Sequence, residues 1–314
     1  MATYLVTGGA GFIGTHLVGE LVSRSDEVRV LDNFVTGLRR NLDPFSGRIQ
    51  LYEGNVDDAA LVARAIQGVD YVLHQAALGS VPRSVDDPSA THAANLSGTL
   101  VLLDAARKAR VRRFVYASSS SVYGDSAQLP KVETMPALPL SPYAVTKLGG
   151  ELYCRVFHQI YGLETVSLRY FNVFGPGQRP DSEYAAVLPR FMAAARQGEA
   201  PVIYGDGRQS RDFTFVENVI QANLLSCTAP SSAAGQAFNI ACGESFTLLD
   251  LLREMESLSG IKLEPRFEAA RKGDVKDSLA GIQKAKDLLA YRPAISFREG
   301  LRRTLLAAGL LRAS

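Results

Sequence analysis

The chain has 314 residues, 46% hydrophobic and 21% charged, enough for two lobes, because single cores stop growing near ~250–300 residues. Its 34 basic and 32 acidic residues leave a net charge of +2, which argues against the basic stripe that a nucleic-acid partner needs. Three scattered cysteines, Cys154, Cys227 and Cys242, lack both zinc-site spacing and the even count of a disulfide framework, so they read as packing residues and no metal is expected.

The apolar run Tyr4–Thr7 predicts a first strand. It leads into Thr7-Gly8-Gly9-Ala10-Gly11-Phe12-Ile13-Gly14 and then the amphipathic stretch Phe12–Ser23. Glycines at a strand-to-helix turn let a pyrophosphate approach the helix N-terminus, where unpaired N–H groups and the dipole favour anions. No basic segment with an apolar core precedes this turn, and no run of ~18 apolar residues follows, so a cytoplasmic protein with no membrane partner is expected. The second strand, Val28–Leu31, ends at Asp32, 21 residues after Gly11. A carboxylate there accepts both ribose hydroxyls of NAD and repels the phosphate of NADP.

Further short runs at Ile49–Glu53, Tyr71–His74, Phe114–Ala117 and Thr165–Arg169 alternate with helical patterns. Such alternation predicts an α/β, doubly wound parallel-sheet Rossmann domain over residues 1–170. Past residue 171 the rhythm loosens into proline and glycine clusters. A smaller mixed α/β substrate domain is expected over 171–314, with residues about 205–243 returning to the first domain.

Ala117-Ser118-Ser119-Ser120-Ser121 places hydroxyls at the carboxyl edge of the sheet, where ligands bind in such folds. Ser141 and Pro142 mark a helix start, so Tyr143 and Lys147, four residues apart, share one helix face. Oxidising a secondary alcohol needs a base near neutrality, and an ordinary tyrosine is too weakly ionised. Lys147 and a positive nicotinamide can stabilise its phenolate, by ~4 kcal/mol for a fall of ~3 units.

These motifs resemble the extended short-chain dehydrogenase/reductases, and within them the UDP-sugar 4-epimerases. The resemblance spans nearly the whole chain and includes His74-Gln75-Ala76-Ala77, Asn95, Arg169-Tyr170-Phe171-Asn172, Arg211-Asp212-Phe213 and Arg271-Lys272-Gly273-Asp274. It implies that Ser119, Tyr143 and Lys147 are catalytic. It implies NAD contacts from Gly8, Gly11, Phe12, Ile13, Asp32, Asn33, Thr36, Gly37, Asn55, Val56, Gln75, Ala76, Ala77, Asn95, Tyr143, Lys147 and Tyr170, with Asn95 near the nicotinamide. Asn55 stands where relatives commonly carry an aspartate facing adenine, and its amide oxygen can still accept. Around the UDP-sugar the resemblance implies Gly79, Ser80, Ser119, Ser120, Ser121, Tyr143, Asn172, Val187, Tyr204, Arg211, Arg271, Asp274 and Ser278.

Relatives that dehydrate or decarboxylate tend to carry acids after the catalytic serine or threonine. Ser120 and Ser121 stand there instead, which points to epimerisation through a 4-keto sugar. The stretches Gln75–Ser84 and Tyr184–Pro189 are similar to epimerases of UDP-N-acetylhexosamines. Ser278 falls where a tyrosine narrows the pocket in hexose enzymes. Gln178-Arg179-Pro180-Asp181 is similar to UDP-glucuronate 4-epimerases, whose arginine would answer a C6 carboxylate. An N-acetylhexosamine substrate is favoured, glucose/galactose is compatible, and UDP-glucuronate stays open. A catalytically silent NAD-binding scaffold is the alternative of another class, opposed by the intact Ser119, Tyr143 and Lys147. A homodimer through helices near Asn95–Lys108 and Ala144–Tyr161 is the family expectation.

Overall fold

Seven apolar strands pair side by side, all parallel, in the computed structural model of the chain, which describes residues 1–179, 187–269 and 276–311. They are β1 (Thr3–Thr7), β2 (Glu27–Asp32), β3 (Ile49–Glu53), β4 (Tyr71–His74), β5 (Arg113–Ser119), β6 (Thr165–Tyr170) and β7 (Gln236–Ile240). Their order across the sheet is β7-β6-β5-β4-β1-β2-β3. The doubly wound parallel sheet expected from the sequence is therefore present, with the first six strands starting and ending within two residues of the apolar runs that predicted them.

Alternation along each strand feeds two cores. On β1, Tyr4 and Val6 join one cluster and Leu5 the other, and on β5 Val115 and Ala117 oppose Phe114 and Tyr116. Both faces are covered, as parallel sheets require. One face packs α1 (Phe12–Ser23) beside α5 (Val216–Thr228), and the other packs α2 (Ala59–Ala65), α3 (Gly98–Lys108) and α4 (Pro142–Tyr161). Each fully buried aliphatic side chain in these clusters contributes about 1.5–3 kcal/mol.

Helix α5 and strand β7 come from the second half of the chain and complete the large sheet, with Phe238 opposite Leu168. The rest of that half forms two-residue and three-residue strand pairs and the helices Val187–Gln197, Leu248–Ser259, Gln283–Leu289 and Phe297–Ala307. An aromatic cluster anchors it: Phe297 stacks on Phe246 at 4.3 Å and on Phe213 at 5.3 Å between ring centroids. Among the described residues no helix is long and apolar enough to cross a membrane.

The chain reverses direction across the sheet between β1 and β4. Loops after these two strands diverge there and open a crevice at their carboxyl ends, the place where such sheets bind ligands.

Candidate active site

Gly8 follows β1 with φ +68°, and a Cβ on it would lie 2.7 Å from the Ala76 amide nitrogen. Gly14 presses on the Gly8 carbonyl so closely that a Cβ there would overlap its oxygen. Gly11 precedes α1 with no side-chain cap, and the first turn holds no acid. The first N–H groups of α1 are thus left for a ligand anion, and the two glycines keep the backbone low enough for one to reach them.

Asp32, buried at the end of β2, accepts from the Ala10 amide at 2.9 Å through Oδ2 and from the Phe34 amide at 2.8 Å through Oδ1. It therefore ties the glycine turn to the neighbouring strand, and each oxygen retains a lone pair for a ribose hydroxyl. This cradle and carboxylate fit NAD. Thr36 and Val56 line the same crevice, and Gly37 packs 2.9 Å from Ala10 when given a Cβ.

Three expected cofactor residues, Gly37, Asn55 and Asn95, do not themselves line the crevice. Asn55 is exposed and outside the crevice lining, and its amide oxygen accepts from Asn33 Nδ2 at 2.7 Å, so it steadies the loop after β2. Asn95 is 1% exposed and lies in a π-helical turn, Ala93–Ser97, of the kind that often marks functional sites. Its Oδ1 accepts from the Leu78 amide at 2.7 Å and its Nδ2 donates to Thr146 Oγ1 at 3.1 Å. Asn95 holds the wall of the crevice to α4, while its neighbour Ala94 reaches the surface.

A buried relay backs this wall. His74 bonds Thr7 Oγ1 at 2.7 Å and Thr99 Oγ1 at 2.9 Å. Burial, helped by the Lys147 charge, drops its imidazole to about 3, so it stays neutral. Gln75, Tyr170 and Asn223 form a second network, in which Tyr170 Oη lies 3.2 Å from both amide oxygens. Asn223, from α5, was not legible as a site residue because only the return of that helix to the sheet places it there.

At the reacting end, Ser141 Oγ caps α4 by accepting from the Ala144 amide at 3.2 Å, with Pro142 in the first turn. Tyr143 and Lys147 then face the carboxyl end of β5. Lys147 Nζ donates to the Ala117 carbonyl at 2.7 Å and lies 5.8 Å from the Tyr143 ring centre. Burial raises the Tyr143 phenol, and its hydrogen bond with Ser119 pulls it back. Burial also lowers the Lys147 ammonium to about 8, against the pull of the Glu151 carboxylate. Ser119 Oγ accepts from the Ser121 amide at 3.2 Å, which leaves its O–H to donate.

Gly8, Asp32, Ser119, Ser120, Tyr143, Lys147 and Asn172 all line one crevice of about 830 Å³. Gly79 and Ser80 line it too, although the Ser80 hydroxyl caps the short helix Val81–Asp86 by accepting from the Arg83 amide at 3.2 Å. Ser121 does not line it. Its Oγ is buried and has no hydrogen-bond partner among the described residues.

A second cleft of about 240 Å³ shares Asn172, Val173 and Gln178 with the first and brings in Val187, Tyr204 and Arg211. Arg190 joins them, its guanidinium 5.2 Å above the Tyr204 ring. Its place one helical turn past Val187 was the available signal. Asn172 sits at the junction with φ +32°, a conformation asparagine tolerates. Its Nδ2 donates to the Asp212 carbonyl at 3.3 Å and lies 3.5 Å from Ser278 Oγ.

Ser278 is buried beside Asn172 and does not itself line either cleft. Asp212 joins three segments by accepting from the Cys242, Gly243 and Ala280 amides at 3.0–3.1 Å, and burial raises its carboxyl to about 6. Arg271 and Asp274 lie outside the described residues, as do Pro180 to Ala186.

The pattern of the NAD-dependent epimerase/dehydratase family matches residues 4–241. Over 305 residues the chain is 35% identical to the UDP-glucose 4-epimerase of Mycolicibacterium smegmatis, with 96% of each protein covered. A UDP-N-acetylglucosamine 4-epimerase from Methanobrevibacter ruminantium M1, solved in complex with UDP-N-acetylmuramic acid, is 39% identical and superposes with a TM-score of 0.93 over 98% of this chain and 97% of that one. A UDP-glucuronic acid 4-epimerase from Bacillus cereus, solved with UDP-glucuronic acid and NAD, is 32% identical with a TM-score of 0.90, over 98% and 99% of the two chains.

Proposed function

Because the chain belongs to the NAD-dependent epimerase/dehydratase family, we propose that it interconverts UDP-N-acetylglucosamine and UDP-N-acetylgalactosamine, accepting UDP-glucose and UDP-galactose as smaller substrates. At the coarser level it is an NAD-dependent UDP-sugar 4-epimerase. The observation that carries the sugar assignment is Ser278. It is a small buried side chain behind Asn172, where the resemblance places a pocket-narrowing tyrosine in hexose enzymes.

In this reading Tyr143 takes the C4 hydroxyl proton and later returns it, while Ser119 donates to the same oxygen and holds it in line. Bound NAD supplies a reversible acceptor for the C4 hydride. Lys147 contributes a positive charge beside the phenol, fixed by its bond to the Ala117 carbonyl. Ser120 and Ser121 stand where relatives that dehydrate or decarboxylate tend to carry acids, which supports epimerisation of the 4-keto sugar over elimination. Arg211, with Arg271 and Asp274, would hold the diphosphate and base, a task suited to the planar guanidinium fork.

Turnover should be highest with UDP-N-acetylglucosamine when it, UDP-glucose and UDP-glucuronate are offered separately. Ser278→Tyr should cut kcat/KM for the acetamido sugar by about 10–100-fold, the equivalent of a 1–3 kcal/mol overpacking cost, and spare UDP-glucose. Faster turnover of UDP-glucuronate would replace this reading with one in which Arg179, which lines the crevice, answers the C6 carboxylate.

A homodimer is proposed as well, supported by Leu152, Val156 and Ile160 at successive turns of α4, with exposures of 44%, 37% and 67%. Sedimentation equilibrium should return twice the chain mass of 33.9 kDa. A single-chain mass at micromolar concentration removes the proposal.

A further inference from the structure

Glu151 lies one turn beyond Lys147 on α4, as Lys147 lies one turn beyond Tyr143, so the three share a helix face. It is 7% exposed and accepts from three donors: Ser118 Oγ at 2.5 Å and Arg169 Nε at 2.9 Å through Oε1, and Arg169 Nη2 at 2.7 Å through Oε2. Ser118 precedes Ser119 on β5, and Arg169 is on β6. A salt bridge this deep gains little stability over apolar side chains of similar volume. Its placement is better explained by what it does to its neighbours.

The titratable groups facing Lys147 are Tyr143 and Glu151 on its own helix, Tyr116 on β5 with its ring centre 5.1 Å from Nζ, and His74 on β4. Both phenols are raised by burial and His74 is neutral, so Glu151 is the negative group among them. Glu151 itself is faced by Arg169, Lys284, Tyr116 and Cys154.

We propose that Glu151 is a positioning residue of the reaction. Clamped by Arg169 and Ser118, it is the counter-charge that keeps Lys147 protonated, and it locks the strand bearing Ser119 against the helix bearing Tyr143. The inference rests on the reading of Tyr143 and Lys147 as the proton-transfer pair, and two readouts separate them.

In the NAD-loaded protein, Glu151→Gln should move the alkaline limb of kcat/KM about 1 pH unit lower, as loss of a neighbouring opposite charge requires. Independently of turnover, the folding equilibrium constant of the variant should gain up to about tenfold on wild type between about pH 7 and 8. Lys147 then releases its proton in the folded state while the unfolded chain still holds it.

The double variant Glu151→Gln/Arg169→Gln leaves no guanidinium without its carboxylate, still deprives Lys147 of its counter-charge and should show the same two displacements, so it carries the test if the single variant does not fold. Ser118→Ala keeps both charges and should leave the limb in place. A double variant that folds with both the limb and the folding profile at their wild-type pH overturns the proposal. A displaced folding profile with an unmoved limb retains Glu151 as the counter-charge of Lys147 and overturns the catalytic reading of Lys147 instead.

Discussion

Tyr143→Phe should lower kcat by about 10³-fold, within the range that a positioned general acid–base group supplies, while the protein stays folded and keeps its NAD. The expectation follows from where the phenol lies. Tyr143 lines the crevice, is hydrogen-bonded with Ser119 and has Lys147 Nζ 5.8 Å from its ring. Burial alone raises its pKa, so the ordinary phenol is the wrong acid for the task. Adjacent positive charge must bring it down when substrate is bound. Removing the hydroxyl removes the group proposed to accept the C4 proton. Removing it from the fold costs one buried hydrogen bond, about 1 kcal/mol. Stopped-time assays with UDP-N-acetylglucosamine, together with circular dichroism, check both halves. Turnover within tenfold of wild type would end the proton-transfer assignment.

Lys147→Met separates function from stability more sharply. Activity should fall by about 10²–10⁴-fold, since the phenol loses the cation that favours its ionised form, yet the fold should be as stable as wild type or more so near neutrality. Burial lowers the Lys147 ammonium from 10.5 to about 8, a penalty of roughly 3 kcal/mol on the charged form. A buried methionine does not incur it. The substitution forfeits the bond to the Ala117 carbonyl, about 1 kcal/mol, so a net gain of about 1–2 kcal/mol is expected.

The sign with pH follows from the lowered folded-state value. The advantage of methionine is full below about pH 8 and disappears as pH rises past 10.5, above which lysine is neutral in both states. Urea titrations at pH 7 and pH 9.5 measure it. A loss of more than 2 kcal/mol at pH 7 would show that the lysine is structural.

Much of this was legible in the chain because the informative features are local. A glycine turn between strand and helix, an acid at the end of the next strand and a capped helix with Tyr143 and Lys147 one turn apart depend on backbone conformation over a few residues. For that reason the boundaries of α1 and the six strands of the first half emerged nearly as built. Resemblance implied the rest of the cofactor and sugar contacts by position, and it carried no signal of the protein partners that Asn55 and Asn95 have. An amide's role depends on which partner reaches it first. Asn33 takes the oxygen of Asn55, and Leu78 and Thr146 take the amide of Asn95.

Long-range partners had no local signal. Glu151 is an ordinary polar residue on an amphipathic helix until β5 and β6 bring Ser118 and Arg169 to it, 33 and 18 residues away. Asn223 waits on the return of α5 to the sheet, 148 residues from Gln75. Asp212 gathers amides 30 to 68 residues distant. The sequence by itself determined the strand–helix alternation, the glycine turn and the placing of Tyr143 and Lys147 on one helix face, because periodicity and helical pitch act within a few residues. Only the tertiary structure decided which buried charges meet and which amides remain free for a ligand. Burial and electrostatic partnership are properties of the packed molecule, set by segments far apart in the chain.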